Sequence, residues 1–142
     1  MSNKYTGGCL CGKVRFEIAE ILPSVAHCHC SMCRKFTGAA YATYAGVMRS
    51  DFRWTSGEKF LRDYVAKNDT TRKFCGRCGS GLVFSSPRAP DDIVEIALAT
   101  VDQEVNVLPN AHIYVDNKAS WTVLNDELPK YSQGRDSETV LE

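Results

Sequence analysis

Long hydrophobic runs are missing from this 142-residue sequence. The longest apolar stretch, Ile93 to Val101, is interrupted by Glu95 and is too short to span a bilayer. The first ten residues, MSNKYTGGCL, carry no apolar h-region, so no secretory signal is expected. The chain is therefore expected to be cytoplasmic, where thiols stay reduced. An excess of one charge is also absent: Lys plus Arg number 17, and so do Asp plus Glu. Phosphate contacts carry much of the affinity in nucleic-acid binding and normally leave a basic excess, so that partner is not expected. Repeats, low-complexity tracts, Pro-rich linkers and long amphipathic helical periods do not occur. The length fits one domain spanning residues 1–142, with the polar tail after about residue 129 peripheral and partly helical or loose.

What is present is a series of short strand signals separated by turn residues. In Lys13 to Ile18, Val14, Phe16 and Ile18 point one way and the charged residues the other. Further strands are expected over 24–28, 41–47, 60–66, 70–75, 81–85 and 93–99, with shorter ones over 112–115 and 121–124 and one helical turn over 31–36. Residues 86–92 read as a loop. The pattern predicts a mainly β domain. Tyr41, Tyr44, Phe52, Trp54 and Trp121 are expected in the core or in a pocket wall.

Seven cysteines are the other conspicuous feature, and an odd count fits a complete disulfide framework poorly. They fall in three clusters: Cys9-Leu10-Cys11; Cys28-His29-Cys30-Ser31-Met32-Cys33; and Cys75-Gly76-Arg77-Cys78. A C-x-x-C with glycines inside and after it makes a tight turn that aims both thiolates at one point, which is half of a tetrahedral zinc site. A C-x-C in an extended segment projects both thiols from one face and can supply the other half. Cys9, Cys11, Cys75 and Cys78 are therefore expected to form a closed structural zinc site. Cys28, Cys30 and Cys33 remain as a compact tripod for a second zinc, and three protein ligands with a free position are the catalytic pattern. His27 or His29 could complete that tetrahedron. Alternation along an extended segment instead places both histidines opposite Cys28 and Cys30, which favours the free position. His112 is expected to be packed or hydrogen-bonded. Redox chemistry competes with metal binding at a single C-x-x-C, but three clusters together favour metal.

The ordered motifs Gly7-Gly8-Cys9-Leu10-Cys11-Gly12, Cys28-His29-Cys30-Ser31-Met32-Cys33-Arg34 and Phe74-Cys75-Gly76-Arg77-Cys78-Gly79-Ser80 resemble the glutathione-dependent formaldehyde-activating family, which also includes centromere-protein-V-like zinc proteins. The likeness continues through Gly38-Ala39, Leu61-Arg62-Asp63-Tyr64, His112-Ile113-Tyr114-Val115, Trp121 and Asp126-Glu127-Leu128-Pro129. It implies a β-tent fold of small antiparallel sheets clamped by zinc, with two Zn2+ per chain. It further implies a carbon–sulfur lyase that works on a small thiol–aldehyde adduct such as S-hydroxymethylglutathione. A small thiol such as glutathione would be the partner, without nucleic acid or membrane. The oligomeric state is not legible.

Arg34 follows the tripod directly and is expected to fork onto a substrate carboxylate. Two other readings remain: a non-catalytic zinc-binding module for a protein partner, and a thiol-redox sensor that loses its second metal on oxidation. A pocket at the tripod separates the enzyme from the module, which would show a flat apolar patch.

Overall fold

The computed structural model describes residues 4–140. Ten strands and one α-helix dominate: β1 Tyr5–Gly8, β2 Arg15–Ile18, β3 Val25–Cys28, α1 Ser31–Thr37, β4 Ala42–Met48, β5 Phe52–Ser56, β6 Leu61–Val65, β7 Thr71–Cys75, β8 Gly81–Ser85, β9 Ile93–Ala97 and β10 Ala111–Ile113. They form a three-stranded sheet, β1-β2-β5, and a seven-stranded sheet, β10-β3-β4-β9-β8-β7-β6. The domain is mainly β, as the strand pattern predicts. Strand pairing is antiparallel except between β10 and β3.

Alternation decides what each strand buries. On β2, Phe16 and Ile18 are buried while Arg15 and Glu17 face outward. Ile18, Val25, Ala45, Val47, Val94 and Ile96 join Phe16 in one core between the sheets. Each large aliphatic or aromatic side chain fully buried there contributes roughly 1.5–3 kcal/mol. Phe52 stacks on Phe16 with ring centroids 5.4 Å apart, and Trp54 meets the same ring edge-on at 6.1 Å. Both belong to the core and not to a pocket wall.

Several expectations need correction. Strands β1 and β5 went unread. The glycines of β1 carry a turn signal, yet Gly7 lies against the Phe16 ring and the backbone of Thr100, where no side chain fits. Strand β9 stops at Ala97, and residues 98–100 tighten into a 3-10 turn. Strand β10 stops at Ile113 because Tyr114 takes a left-handed conformation, φ 58°. Residues 121–124 are not a strand: no neighbouring edge pairs with them, and Trp121 is 70% exposed. Up to residue 140 the tail is neither helical nor loose. His112 donates its backbone N–H to Pro129, Tyr131 donates back to His112, and Val140 donates to Lys130, so the tail returns as a strap along β10.

Candidate metal centres and the adjoining cavity

Cys9 leaves β1, Cys11 lies in the β1–β2 turn, Cys75 ends β7, and Cys78 sits in the β7–β8 turn. Their four sulfurs lie within 4.8 Å of one another. The Cys9 and Cys11 sulfurs are 3.6 Å apart, and those of Cys11 and Cys75 are 3.9 Å apart. Ligands about 2.3 Å from a tetrahedral zinc lie roughly 3.8 Å from each other, so the arrangement fits that ion. Backbone N–H groups of Val14 and Arg77 donate to the sulfurs of Cys9 and Cys75 at 3.3 and 3.4 Å, which favours thiolates. The C-x-C pair does not meet as an extended segment. Residues 10 and 11 are a turn, and the turn rather than strand alternation brings the sulfurs together. Gly79, at φ 83°, lets the second turn close with a 2.8 Å bond from its N–H to the Cys75 carbonyl. Two of its cysteines belong to the three-stranded sheet and two to the seven-stranded sheet, so this group joins the sheets.

The second group comprises Cys28 at the end of β3, Cys30 at the N-cap of α1, and Cys33 in its first turn. The Cys30 sulfur accepts from the Cys33 backbone N–H at 3.3 Å. Helix α1 is seated on the sheet by Phe36, whose ring leaves no room for a side chain at Gly81, where a Cβ would come within 2.6 Å. The three sulfurs are crowded enough to share protons. The Cys28 and Cys33 thiols, with the N–H groups of Cys33 and Met32, pull Cys30 down to about 2. The Cys30 and Cys33 sulfurs, with burial, drive Cys28 upward. Cys28 lowers Cys33, but Cys30 and burial outweigh it and hold Cys33 at about 11. Three thiolates in this space need a cation, which is what a bound metal supplies.

Among the described residues, no histidine nitrogen joins either group. His27 faces away from Cys28 and shares its ring nitrogen with the Thr43 hydroxyl at 2.7 Å. His29 is fully buried, and burial, followed by the field of His112, holds it near 4. Its Nε2 lies 2.8 Å from Nδ1 of His112, whose Nε2 lies 2.8 Å from an Asp126 oxygen. The hydrogen bond from His112 holds Asp126 near 2, so Asp126 is an acceptor at neutral pH. Nδ1 of His29 is left without a partner.

Cys28, Cys30 and Cys33 open into a cavity of about 750 Å³. Arg72, Arg88, Arg135, Tyr44, Phe84 and Glu95 also line it. Arg34 does not. Its Nε is buried without a partner, and its charge acts on His29. The arginine that touches the tripod is Arg72, whose Nη2 lies 3.5 Å from the Cys33 sulfur. Arg72 is 3% exposed, lies between the rings of Phe36 and Phe84, and leaves its Nε without a partner. No local pattern in Thr71-Arg72-Lys73 marks it. Tyr44, expected in the core or a wall, stacks with Phe84 in the cavity wall, and burial raises its hydroxyl pKa. Tyr41 packs on His27 and His29 instead.

The sequence profile described as "Glutathione-dependent formaldehyde-activating enzyme" matches residues 4–117. The chain belongs to that family. A Halomonas elongata protein named "Putative glutathione-dependent formaldehyde-activating enzyme" is 29% identical over 144 residues, covering 96% of this chain and 91% of that protein. The crystal structure of a Rhodobacter sphaeroides protein shares 26% identity and superposes with a TM-score of 0.60, over 71% of this chain and 91% of that one. The family match takes in both cysteine groups of this formaldehyde-activating family member and stops short of Asp126 and Arg135.

Proposed function

We propose that the chain is a zinc-dependent carbon–sulfur lyase that makes and breaks the adduct of a small thiol with an aldehyde, S-hydroxymethylglutathione being the adduct that the family name suggests. The observation that carries this reading is the opening of the three-thiol group into an arginine-lined cavity. Its volume lies in the usual range for small-molecule sites, about 300–1,000 Å³. A flat apolar patch, which a partner-binding module would need, is not what surrounds Cys28, Cys30 and Cys33.

Cys9, Cys11, Cys75 and Cys78 would hold a structural zinc, and Cys28, Cys30 and Cys33 a second one. With three protein ligands, the second ion would supply a further position at which a thiol is held deprotonated. The remaining work falls to the protein. In the condensing direction the thiol sulfur forms the C–S bond and the carbonyl electron pair moves to oxygen. The proton released by the thiol finishes on that oxygen, and the lyase direction reverses each change.

Arg72 places a fixed cation beside the site, where charge grows on the carbonyl oxygen, and a cation in a water-poor setting acts more strongly than in bulk water. Tyr44, kept protonated by burial, can donate its hydroxyl hydrogen to the same oxygen. Arg88 and Arg135 offer guanidinium groups for substrate carboxylates, the role that chain order alone suggests for Arg34. The test is two-dimensional exchange NMR of formaldehyde with glutathione in the presence of the metal-loaded protein. Cross-peaks that build up faster than in buffer support the reading, and an exchange rate equal to that of buffer rejects it.

A further inference from the structure

Glu95 interrupts the apolar strand β9, and the chemistry above makes no use of it. Its place in the fold is defined by register. It lies opposite Gly46 on β4 and Phe84 on β8, and Phe84 in turn lies opposite Arg72 on β7. Directly opposed residues share a sheet face, so Arg72, Phe84 and Glu95 form one cross-strand row that lines the cavity. Strands lie about 4.8 Å apart, which separates the backbones of Arg72 and Glu95 by roughly 10 Å. Gly46 has no side chain to cover the carboxylate. Among the described residues, no cation comes within ion-pair distance of Glu95 and no hydrogen-bond donor reaches its carboxylate. Arg135 acts on it only through space; its Nη2 donates to Asn110 Oδ1 at 2.7 Å and to the Val25 carbonyl at 3.2 Å, which leaves its Nη1 and Nε for a ligand.

A carboxylate placed in a cavity wall without a cation costs stability unless a ligand supplies the charge. We propose that Glu95 is the residue of this cavity that receives the protonated amine of the thiol ligand, so that any preference for ligands bearing an ammonium group depends on its carboxylate. The inference rests on the thiol-adduct reading of the cavity. The row also fits the geometry of such a ligand: the sulfur end at Cys33 and Arg72, carboxylates at Arg88 and Arg135, and the ammonium at Glu95.

The test uses the full chain as purified and a ligand that cannot become a thiolate. Calorimetry compares S-methylglutathione with its N-acetyl derivative, which keeps both carboxylates but loses the ammonium. Acetylation is expected to weaken binding by about 10- to 100-fold, the scale of one charge-assisted hydrogen bond. Glu95→Gln should bind S-methylglutathione more weakly by a similar factor and no longer distinguish the two ligands. Equal binding of both by the wild type, with formaldehyde–glutathione exchange intact, overturns the role of Glu95 alone. A Glu95→Gln variant that keeps the preference overturns it as well. No binding of either ligand, together with exchange at the buffer rate, overturns the thiol reading and this inference with it.

Discussion

Nη2 of Arg72 lies 3.5 Å from Sγ of Cys33, although the two residues stand 39 positions apart in the chain. The contact joins the start of β7 to the first turn of α1. It places a buried guanidinium against a group of three thiols, and β7 ends three residues later at Cys75, a member of the other group. One strand therefore carries a charge partner for the candidate reactive site and an anchor for the site that joins the sheets.

Replacing Arg72 by Met keeps much of the packing between Phe36 and Phe84 but removes the cation. The loss of one preorganised donor typically lowers turnover about 10²- to 10³-fold. The expected result is a fall of that size in kcat, with a smaller change in KM and full metal content by elemental analysis. Arg72→Lys should recover part of the loss, because it restores the charge without the planar fork.

The two metal groups should fail in different ways. Cys75 is fully buried in the core, and its group spans both sheets. Structural zinc can be worth roughly 10–16 kcal/mol of apparent binding energy in small modules, comparable with the whole stability of a domain. Cys75→Ser is expected to give insoluble or unfolded protein by circular dichroism. Cys30→Ser should stay folded and lose one of two zincs. A wild-type content of one zinc per chain would contradict the two-centre reading.

The Asp126–His112–His29 chain ties the tail and β10 to the segment that bears Cys28 and Cys30. His112→Ala leaves His29 without its partner in a buried setting, at a cost of about 2 kcal/mol or more. Asp126 is more exposed, and its removal should cost less, about 1 kcal/mol or under. Urea unfolding of His112→Ala and Asp126→Asn, with unchanged slopes, measures both. Comparable losses in the two variants would show that the buried histidine pair is not the stronger link.

Burial raises the pKa of Glu95 above its unfolded value, and Arg135 opposes the shift. An acid raised on folding penalises the native state once the unfolded chain would ionise. The penalty is absent below the unfolded pKa of about 4.3, grows as pH rises from there to the folded value, and is constant above it. Glu95→Gln should therefore melt higher than the wild type at neutral pH, with a gap that closes as pH falls towards the unfolded pKa. A gap independent of pH would assign the effect to packing and not to charge.

Some of the molecule was legible because it is local. The two C-x-x-C spacings and the two C-x-C spacings bring thiols together within a turn, and the grouping into four and three sulfurs follows from them. Most strands were legible from alternation, as on β2. The strands that escaped notice depend on partners: β1 exists because Gly7 can lie against Phe16, and residues 121–124 fail to form one because no edge receives them. Trp121 shows the same limit, since apolar character alone did not bury it.

Arg34 and Arg72 mark the boundary between what chain order and tertiary structure each decide. By itself the sequence determined a mainly β chain with seven metal-type thiols, divided by spacing that acts over a few residues. Only the tertiary structure decided which arginine faces the thiols, which carboxylate shares their cavity, and which sheets the four-sulfur group joins. Those outcomes depend on strand register between segments tens of residues apart. A shift of one residue would turn Arg72 and Glu95 to the opposite face, and no local pattern specifies that register.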